Sequence, residues 1–447
     1  MISIHPDAKR NFIEKTENIL SYFEPFKPKP IPPRTSQHYI TKTITENDLV
    51  NKIKYQNITN QSGENVGLVV FTDSEQYFIN RNNYKIIKKI IEQLSVLKGY
   101  NEYLSKQYIE TKMCDWLASR FLKEFEVDFI QFIEMESGKD IKLYEVWIPI
   151  PYTSSVKEFS LGNITFKIIT QSVILDWFKD IPDKNADSKK DKEQFIKELQ
   201  KNFQGYISGI FIIKSEQYKA KEMAFNELKN TLSILRLFSP ANFHPSLING
   251  AYEYGWNVYE SEKSIFFSKE GNEFLMNTSM RDIGLYWTID EKVIEFLNSD
   301  ANKNYNEILK SQNRNNFQED IFKSLIIYSK HTLKRDVSDK IMYILVSLES
   351  ILLKNDTEPI QQNLADRMAF ICSKNPDGRK EIVKLVKYIY QIRSKFIHHG
   401  VPSVDSIDKI VNFLDLAWNT FHLIILNMTN FENKDSFIDE IEKIKYS

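Results

Sequence analysis

The chain has 447 residues, long enough for two or three domains with buried cores, and its 42% hydrophobic and 13% aromatic content excludes a disordered polymer. Lysine plus arginine (59) nearly balance aspartate plus glutamate (60), so the net charge of −1 excludes a protein that grips nucleic acid over its whole surface. Any such contact needs a local basic patch. The two cysteines, Cys114 and Cys372, form no C-x-x-C pair, which speaks against a disulfide framework or zinc site and for a reducing cytoplasm. Residues 1–10 carry charge and no apolar run, and no stretch reaches the length needed to span a bilayer; neither a signal peptide nor membrane contact is expected.

Residues 11–22 have helical spacing (Phe12, Ile13, Ile19, Leu20) and run into Pro25, Pro28, Pro30, Pro32 and Pro33, which predict an extended arm. Residues 52–59 and 66–72 read as strands, and 84–97 and 103–125 as helices. Strands are expected again at 127–135, 142–150 and 157–170, the last turning at Leu161-Gly162-Asn163. The charged run 183–193 reads as a solvated surface loop. A strand at 206–214 and a long helix at 217–238 follow. Beyond Pro240 the chain turns irregular, with Pro245 and Gly250, and 255–287 mixes short strands with turns. His244 between prolines is expected to stabilise a turn. Tyr252, Tyr254 and Trp256 alternate as on a half-buried strand, a base-stacking platform being the other reading.

From about residue 300 the strands cease. Residues 305–311, 317–332, 337–354, 360–373, 379–399 and 406–430 read as helices joined by short loops, which predicts a compact antiparallel bundle. The expected fold class is an α+β N-terminal region followed by an all-α bundle. The expected domains are 1–36 (helix and Pro-rich arm), 37–302 (an α+β region that 183–193 can split in two) and 303–447 (helical).

One segment suggests chemistry. Helix 379–399 ends Tyr390-Gln391-Ile392-Arg393-Ser394-Lys395-Phe396-Ile397-His398-His399-Gly400. Arginine supplies a permanent planar charge for phosphate oxygens, and histidine a proton that moves near neutral pH. At about 100° per residue, Lys380, Lys384, Lys387, Gln391, Ser394 and His398 fall on one stripe, and Val386, Ile389, Tyr390 and Ile397 on a second. Between Lys374 and Lys395 there are seven basic and two acidic residues, as a polyanion site requires; an ordinary solvated lysine stripe is the alternative. Arg393 falls within the apolar stripe and must be paired if buried. Glu349 on helix 337–354 is one candidate partner, and a second copy of the chain across a two-fold axis is another. Arg393 and His398 stand about 140° apart on a straight helix, which favours a site completed by the second copy.

The order Leu348-Glu349-Ser350-Ile351-Leu352, Leu364-Ala365-Asp366-Arg367-Met368-Ala369-Phe370, Arg379, then Tyr390, Arg393-Ser394, His398 and Gly400 resembles the HEPN superfamily, most closely its Apea-like branch. The resemblance covers about residues 337–430. It departs from the wider superfamily at Ser394, where Asn or Asp is common; the Apea-like branch tolerates Ser. The resemblance implies a metal-independent endoribonuclease with a composite dimeric site. In that reading Arg393, Ser394 and His398 are catalytic, and His399, Glu349 and Tyr390 supporting. Lys380, Lys384, Lys387 and Lys395 bind RNA, and no metal or cofactor takes part. It further implies a toxin or antiviral (abortive infection) effector that cuts tRNA or mRNA, with the N-terminal region answering a phage-derived trigger or an antitoxin. A non-catalytic module that binds RNA or nucleotide, or only dimerises, is the second reading. No G-x-S-x-G elbow, P-loop or G-x-G-x-x-G supports another chemistry, and His331 has no second metal ligand at i+4.

Overall fold

The computed structural model describes residues 5–26, 54–72, 75–182, 186–252, 262–267, 274–279, 286–310, 314–355, 357–399 and 406–446. Pro28, Pro30, Pro32 and Pro33, Tyr254 and Trp256, and Gly400 and Pro402 lie outside them. The chain divides into two compact units, Met1–Glu145 with Ile212–Met223, and Val146–Phe211 with Ala224–Ser447. The helical run from residue 303 lies wholly in the second. Among the described residues no helix is long and apolar enough to cross a membrane.

In the first unit, α1 (Pro6–Ile19) starts with proline, whose missing N–H is no loss at a helix N-terminus, and buries Phe12, Thr16 and Ile19 at helical spacing. A four-stranded antiparallel sheet runs in the order β1-β4-β3-β2, from β1 (Glu24–Pro25), β2 (Tyr55–Thr59), β3 (Asn65–Phe71) and β4 (Gln76–Ile79). Sequence spacing missed β4. Leu68, Val70 and Ile79 pack with α2 (Arg81–Ser95), which Asn80 caps by accepting from Asn82 N and Asn83 N, both at 3.0 Å. After α3 (Tyr100–Tyr103) and α4 (Lys106–Phe121) comes the main correction here. The expected strand at 127–135 is a helix, α5 (Phe129–Asp140). Asp128 caps it by accepting from Gln131 N at 2.9 Å, and Phe129, Ile130, Phe132 and Ile133 bury a helical face.

The second unit contains most of β5 (Lys142–Ile150), then β6 (Thr153–Ser155), β7 (Phe159–Leu161) and β8 (Ile164–Ile168). β7 and β8 form a hairpin whose Gly162 has φ +63°, a left-handed turn position that suits glycine. α6 (Gln171–Phe178) and α7 (Ala186–Phe203) come next. The described part of the charged run expected as a loop, 186–193, is thus the opening of α7, where Lys and Glu suit a helix. β9 (Ile207–Ser215) completes the sheet β5-β9-β8-β7, and α8 (Gln217–Leu235) follows. β10 (Glu262–Phe267) pairs antiparallel with β11 (Phe274–Ser279), and β12 (Trp287–Ile289) pairs parallel with β6. The remainder is helical: α9 (Glu291–Asn298), α10 (Lys303–Glu307), α11 (Asn316–Ser329), α12 (Val337–Leu352), α13 (Ile360–Cys372), α14 (Pro376–His399), α15 (Ile407–Leu426) and α16 (Lys434–Tyr446). The architecture is α+β followed by a helical C-terminal part, with α16 the one long helix there that the sequence reading left unassigned.

Polar side chains are buried where residues 236–251 meet α11 and α12. Arg236 donates to Ala251 O (2.8 Å) and Ser233 Oγ (3.0 Å), Asn249 N to Thr332 O (2.9 Å), and Lys340 Nζ to Leu247 O (2.5 Å). His331, fully buried, donates through Nδ1 to Tyr328 O at 2.6 Å. The helices after 303 therefore share a core with the residues before them. Burial lowers Lys340 from 10.5 to about 8. Between those values the unfolded chain holds a proton that the folded one has released, so this residue makes stability rise with pH across that window. Lys340→Met should flatten the rise and stabilise the fold near neutral pH by about 2 kcal/mol, after allowing for the lost hydrogen bond to Leu247 O. Urea unfolding at pH 7 and pH 10 checks this. An unchanged difference between the two pH values would refute the assignment.

Candidate functional site

α14 forms because residues 376–399 combine strong helix formers with an apolar stripe. Its start is pinned by Arg379, whose Nε donates to Ser373 O at 2.8 Å and whose guanidinium lies 4.0 Å from the Phe370 ring centroid. Val386, Ile389 and Ile392 are buried. Ile397, expected on the same stripe, is instead 52% exposed, although it falls at the same angle as the buried residues.

Arg393 sits at the edge of this buried face with a partner the sequence had offered. Its NH1 donates to Glu349 Oε1 on α12 at 2.5 Å, and the Tyr390 hydroxyl donates to the same oxygen at 2.7 Å. The guanidinium carbon is 5.6 Å from the Tyr390 ring centroid. Burial, reinforced by the bond to Glu349, raises the Tyr390 phenol well above its ordinary value, so it remains a donor. The side chains of Arg393 and Glu349 keep 23% and 17% exposure, so the pair is neither sealed nor freely solvated. One guanidinium has five N–H donors, and a single bond to Glu349 leaves capacity for a second acceptor.

Ser394 and His398 lie one turn apart on the exposed side of α14, in line with exposed Lys380, Lys384 and Lys387. Lys395 is exposed nearby, and His399 ends the helix with its side chain outside the described residues. Lys380 pairs with Asp377 at 3.1 Å and Lys384 with Glu381 at 2.9 Å, both open surface pairs that contribute little and exchange readily for another anion. One chain thus unites Arg393, Glu349 and Tyr390, and separately aligns Ser394, His398 and the lysines. It leaves the two groups on different sides of one helix.

Several residues without a separate role in the sequence reading carry the surroundings. Arg367 on α13 bridges Glu358 and Glu442. Along α15, Lys409, Asn412, Asp415, Asn419 and His422 recur every three or four residues beside a groove shared with α14. That polar periodicity was visible in the sequence. His244 accepts from Ser246 N at 3.3 Å, a local turn contact, and Tyr252 is buried. Cys114 and Cys372 are both free thiols, and burial pushes Cys114 up to about 12. Among the described residues no three His, Cys, Asp or Glu side chains gather as metal ligands would. Comparison with protein-family models, with curated proteins and with solved structures returns no match for this chain.

Proposed function

We propose that this chain is a metal-independent endoribonuclease of the HEPN type, a toxin or antiviral effector that cuts cellular RNA through a site composed of Arg393, Ser394 and His398 from two copies. The observation that carries this reading is the build of α14. A partly exposed guanidinium is held at one edge by Glu349, which Tyr390 also bonds, and a histidine stands near the end of a lysine-lined exposed stripe. RNA brings its own nucleophile, the ribose 2′-hydroxyl. That oxygen attacks the adjacent phosphorus, the bond to the 5′ oxygen breaks, and the products are a 2′,3′-cyclic phosphate and a 5′-hydroxyl. His398 transfers protons between the two oxygens, while Arg393 meets the charge that builds on the phosphate. The 140° between Arg393 and His398 favours a two-fold pair in which the second copy's α14 completes each site.

The test is incubation of the purified protein with total RNA in EDTA, with end-group analysis and light scattering on the same sample. Cleavage without divalent metal, cyclic phosphate ends and a dimeric mass are expected. A strict requirement for magnesium, or full activity from a monomer, would overturn the mechanism or the composite site respectively. One observation favours the second reading, a non-catalytic HEPN module that binds RNA or nucleotide or serves as a dimerisation scaffold. The Arg393–Glu349 bond by itself pairs the charge of a buried-edge guanidinium without any substrate. Absence of cleavage from every RNA offered, with binding retained, would decide for it.

A further inference from the structure

Beside the Arg–His segment, α14 and α15 part to leave a groove of about 930 Å3, at the upper end of the size range of small-molecule sites (roughly 300–1,000 Å3). Ile382 and Leu385 supply apolar wall. Tyr388 from α14, and Lys409, Asn412, Asp415, Asn419 and His422 from α15, supply the polar chemistry.

Three features of that lining call for a particular kind of occupant. The Tyr388 hydroxyl is shielded from solvent and meets no hydrogen-bond partner among the described residues, although a buried phenol normally finds one. Lys409 holds its ammonium 4.3 Å from the Tyr388 ring centroid, which places a cation directly beside that aromatic plane. On the α15 wall two local contacts arrange the polar groups. Asn419 Nδ2 donates to Asp415 Oδ2 at 3.2 Å, which keeps a carboxylate and an amide side by side. His422 Nδ1 lies 2.9 Å from the Tyr305 hydroxyl, and its ring stacks within 13° of parallel on Trp418 at 4.9 Å. His422 is among the residues that line the groove. A planar ligand with donors and acceptors on its rim and an anion attached would use every one of these groups. A nucleotide is such a ligand.

Position adds the strand. Lys384 both lines the groove and belongs to the exposed stripe that ends at His398, and Tyr388 precedes His398 by about 15 Å along the helix axis. A single strand laid along the stripe passes the mouth of the groove. We propose that the α14–α15 groove is a nucleotide subsite that takes one unpaired base of the RNA, with Lys409 on the attached phosphate. Tyr388 and the Asn412, Asp415, Asn419 and His422 wall then meet the base. Unpaired bases are what proteins read in RNA by stacking and edge hydrogen bonds. The identity of the strand rests on the ribonuclease reading above; the nucleotide chemistry of the groove stands on its own lining.

The experiment titrates AMP, GMP, CMP and UMP, and the corresponding nucleosides, into the full chain by calorimetry. Wild type, Tyr388→Phe and Lys409→Met are compared. Tyr388→Phe keeps the ring and removes only a hydroxyl with no hydrogen-bond partner among the described residues, so its melting temperature should match or exceed wild type. At least one monophosphate should bind wild type, and Tyr388→Phe should weaken it about tenfold. Lys409→Met should weaken the monophosphate more than its nucleoside. No binding of any nucleotide at millimolar concentration, or equal binding by all three proteins, overturns the subsite. Nucleotide binding by a chain that cleaves no RNA supports the subsite and removes the ribonuclease reading. Cleavage by a chain that binds no nucleotide does the reverse.

Discussion

His398→Ala is expected to reduce RNA cleavage in EDTA by about 10²- to 10⁴-fold, the usual contribution of a positioned acid–base group. Because His398 is exposed, the substitution should leave the melting temperature unchanged. Arg393→Ala is expected to lose activity on a similar scale, but that variant alone is ambiguous. It strips the partner from a Glu349 carboxylate that is largely covered, and a loss of stability would follow whether or not Arg393 ever touches RNA. The double variant Arg393→Ala/Glu349→Gln separates the two roles. Neutral glutamine can still accept from Tyr390, so the double variant should regain much of the stability lost by Arg393→Ala while remaining inactive. Arg393→Lys retains the charge but not the fork, and should fall between wild type and alanine. Cleavage rates beside thermal melts for the four variants decide the matter. If the double variant recovers activity together with stability, Arg393 is a structural brace and leaves the proposed site. Unchanged cleavage in His398→Ala would remove the site altogether.

The parts of this fold that were legible in the sequence are those where one local signal had no rival. The strand at Lys142–Ile150 and the hairpin turning on Gly162 were read correctly, and so was the run of helices after residue 300. The misread parts had competing signals. Residues 127–135 are rich in β-favouring side chains, but Asp128 and Gln131 stand at the spacing of a helix start, and the cap prevailed. The charged opening of α7 lacks an apolar stripe, so periodicity could not find the helix, although its residues suit one. For the candidate site, sequence spacing anticipated that Arg393 needs a partner and named Glu349, because burial of a guanidinium is a local demand. The same spacing could not say that α12 would supply that partner within one chain, which weakens the original motive for a dimer and leaves the 140° separation as its main support. The α14–α15 groove was illegible for another reason: it exists only once two helices pack, and neither helix alone predicts how far apart they lie.

Arg367→Met is expected to be the most damaging single change in the helical part. Arg367 is 4% exposed and its guanidinium makes four hydrogen bonds. NH1 and NH2 donate to the two Glu358 oxygens at 2.9 Å each, NH1 also to Leu352 O at 2.6 Å, and Nε to Glu442 Oε1 at 3.1 Å. The fork joins the end of α12, the turn before α13 and the final helix α16, where Lys445 also reaches Asp366 at 2.8 Å. Methionine fills similar volume but removes the positive partner of two carboxylates and the donor to Leu352 O, while Glu358 keeps only neutral donors in Lys354 N and Asn363 Nδ2. The loss is roughly 3–5 kcal/mol, or about 10 °C in melting temperature for a unit of this size. The pH dependence makes the prediction specific. Burial alone would raise the Glu358 carboxyl, but hydrogen bonds from Arg367 and from Lys354 N hold it below its ordinary value. With its folded value depressed, Glu358 stabilises the wild type above about pH 4.5, and that contribution fades as pH falls. Without Arg367, the strongest influence opposing burial is gone, so acidification should favour the variant relative to wild type. The stability difference between the two proteins should therefore be smaller at pH 4 than at pH 7, and Glu358→Gln added to Arg367→Met should recover part of the loss at pH 7. Equal differences at both pH values, with no recovery in the double variant, would show that the fork between α13 and Glu358 does not hold this end of the protein together.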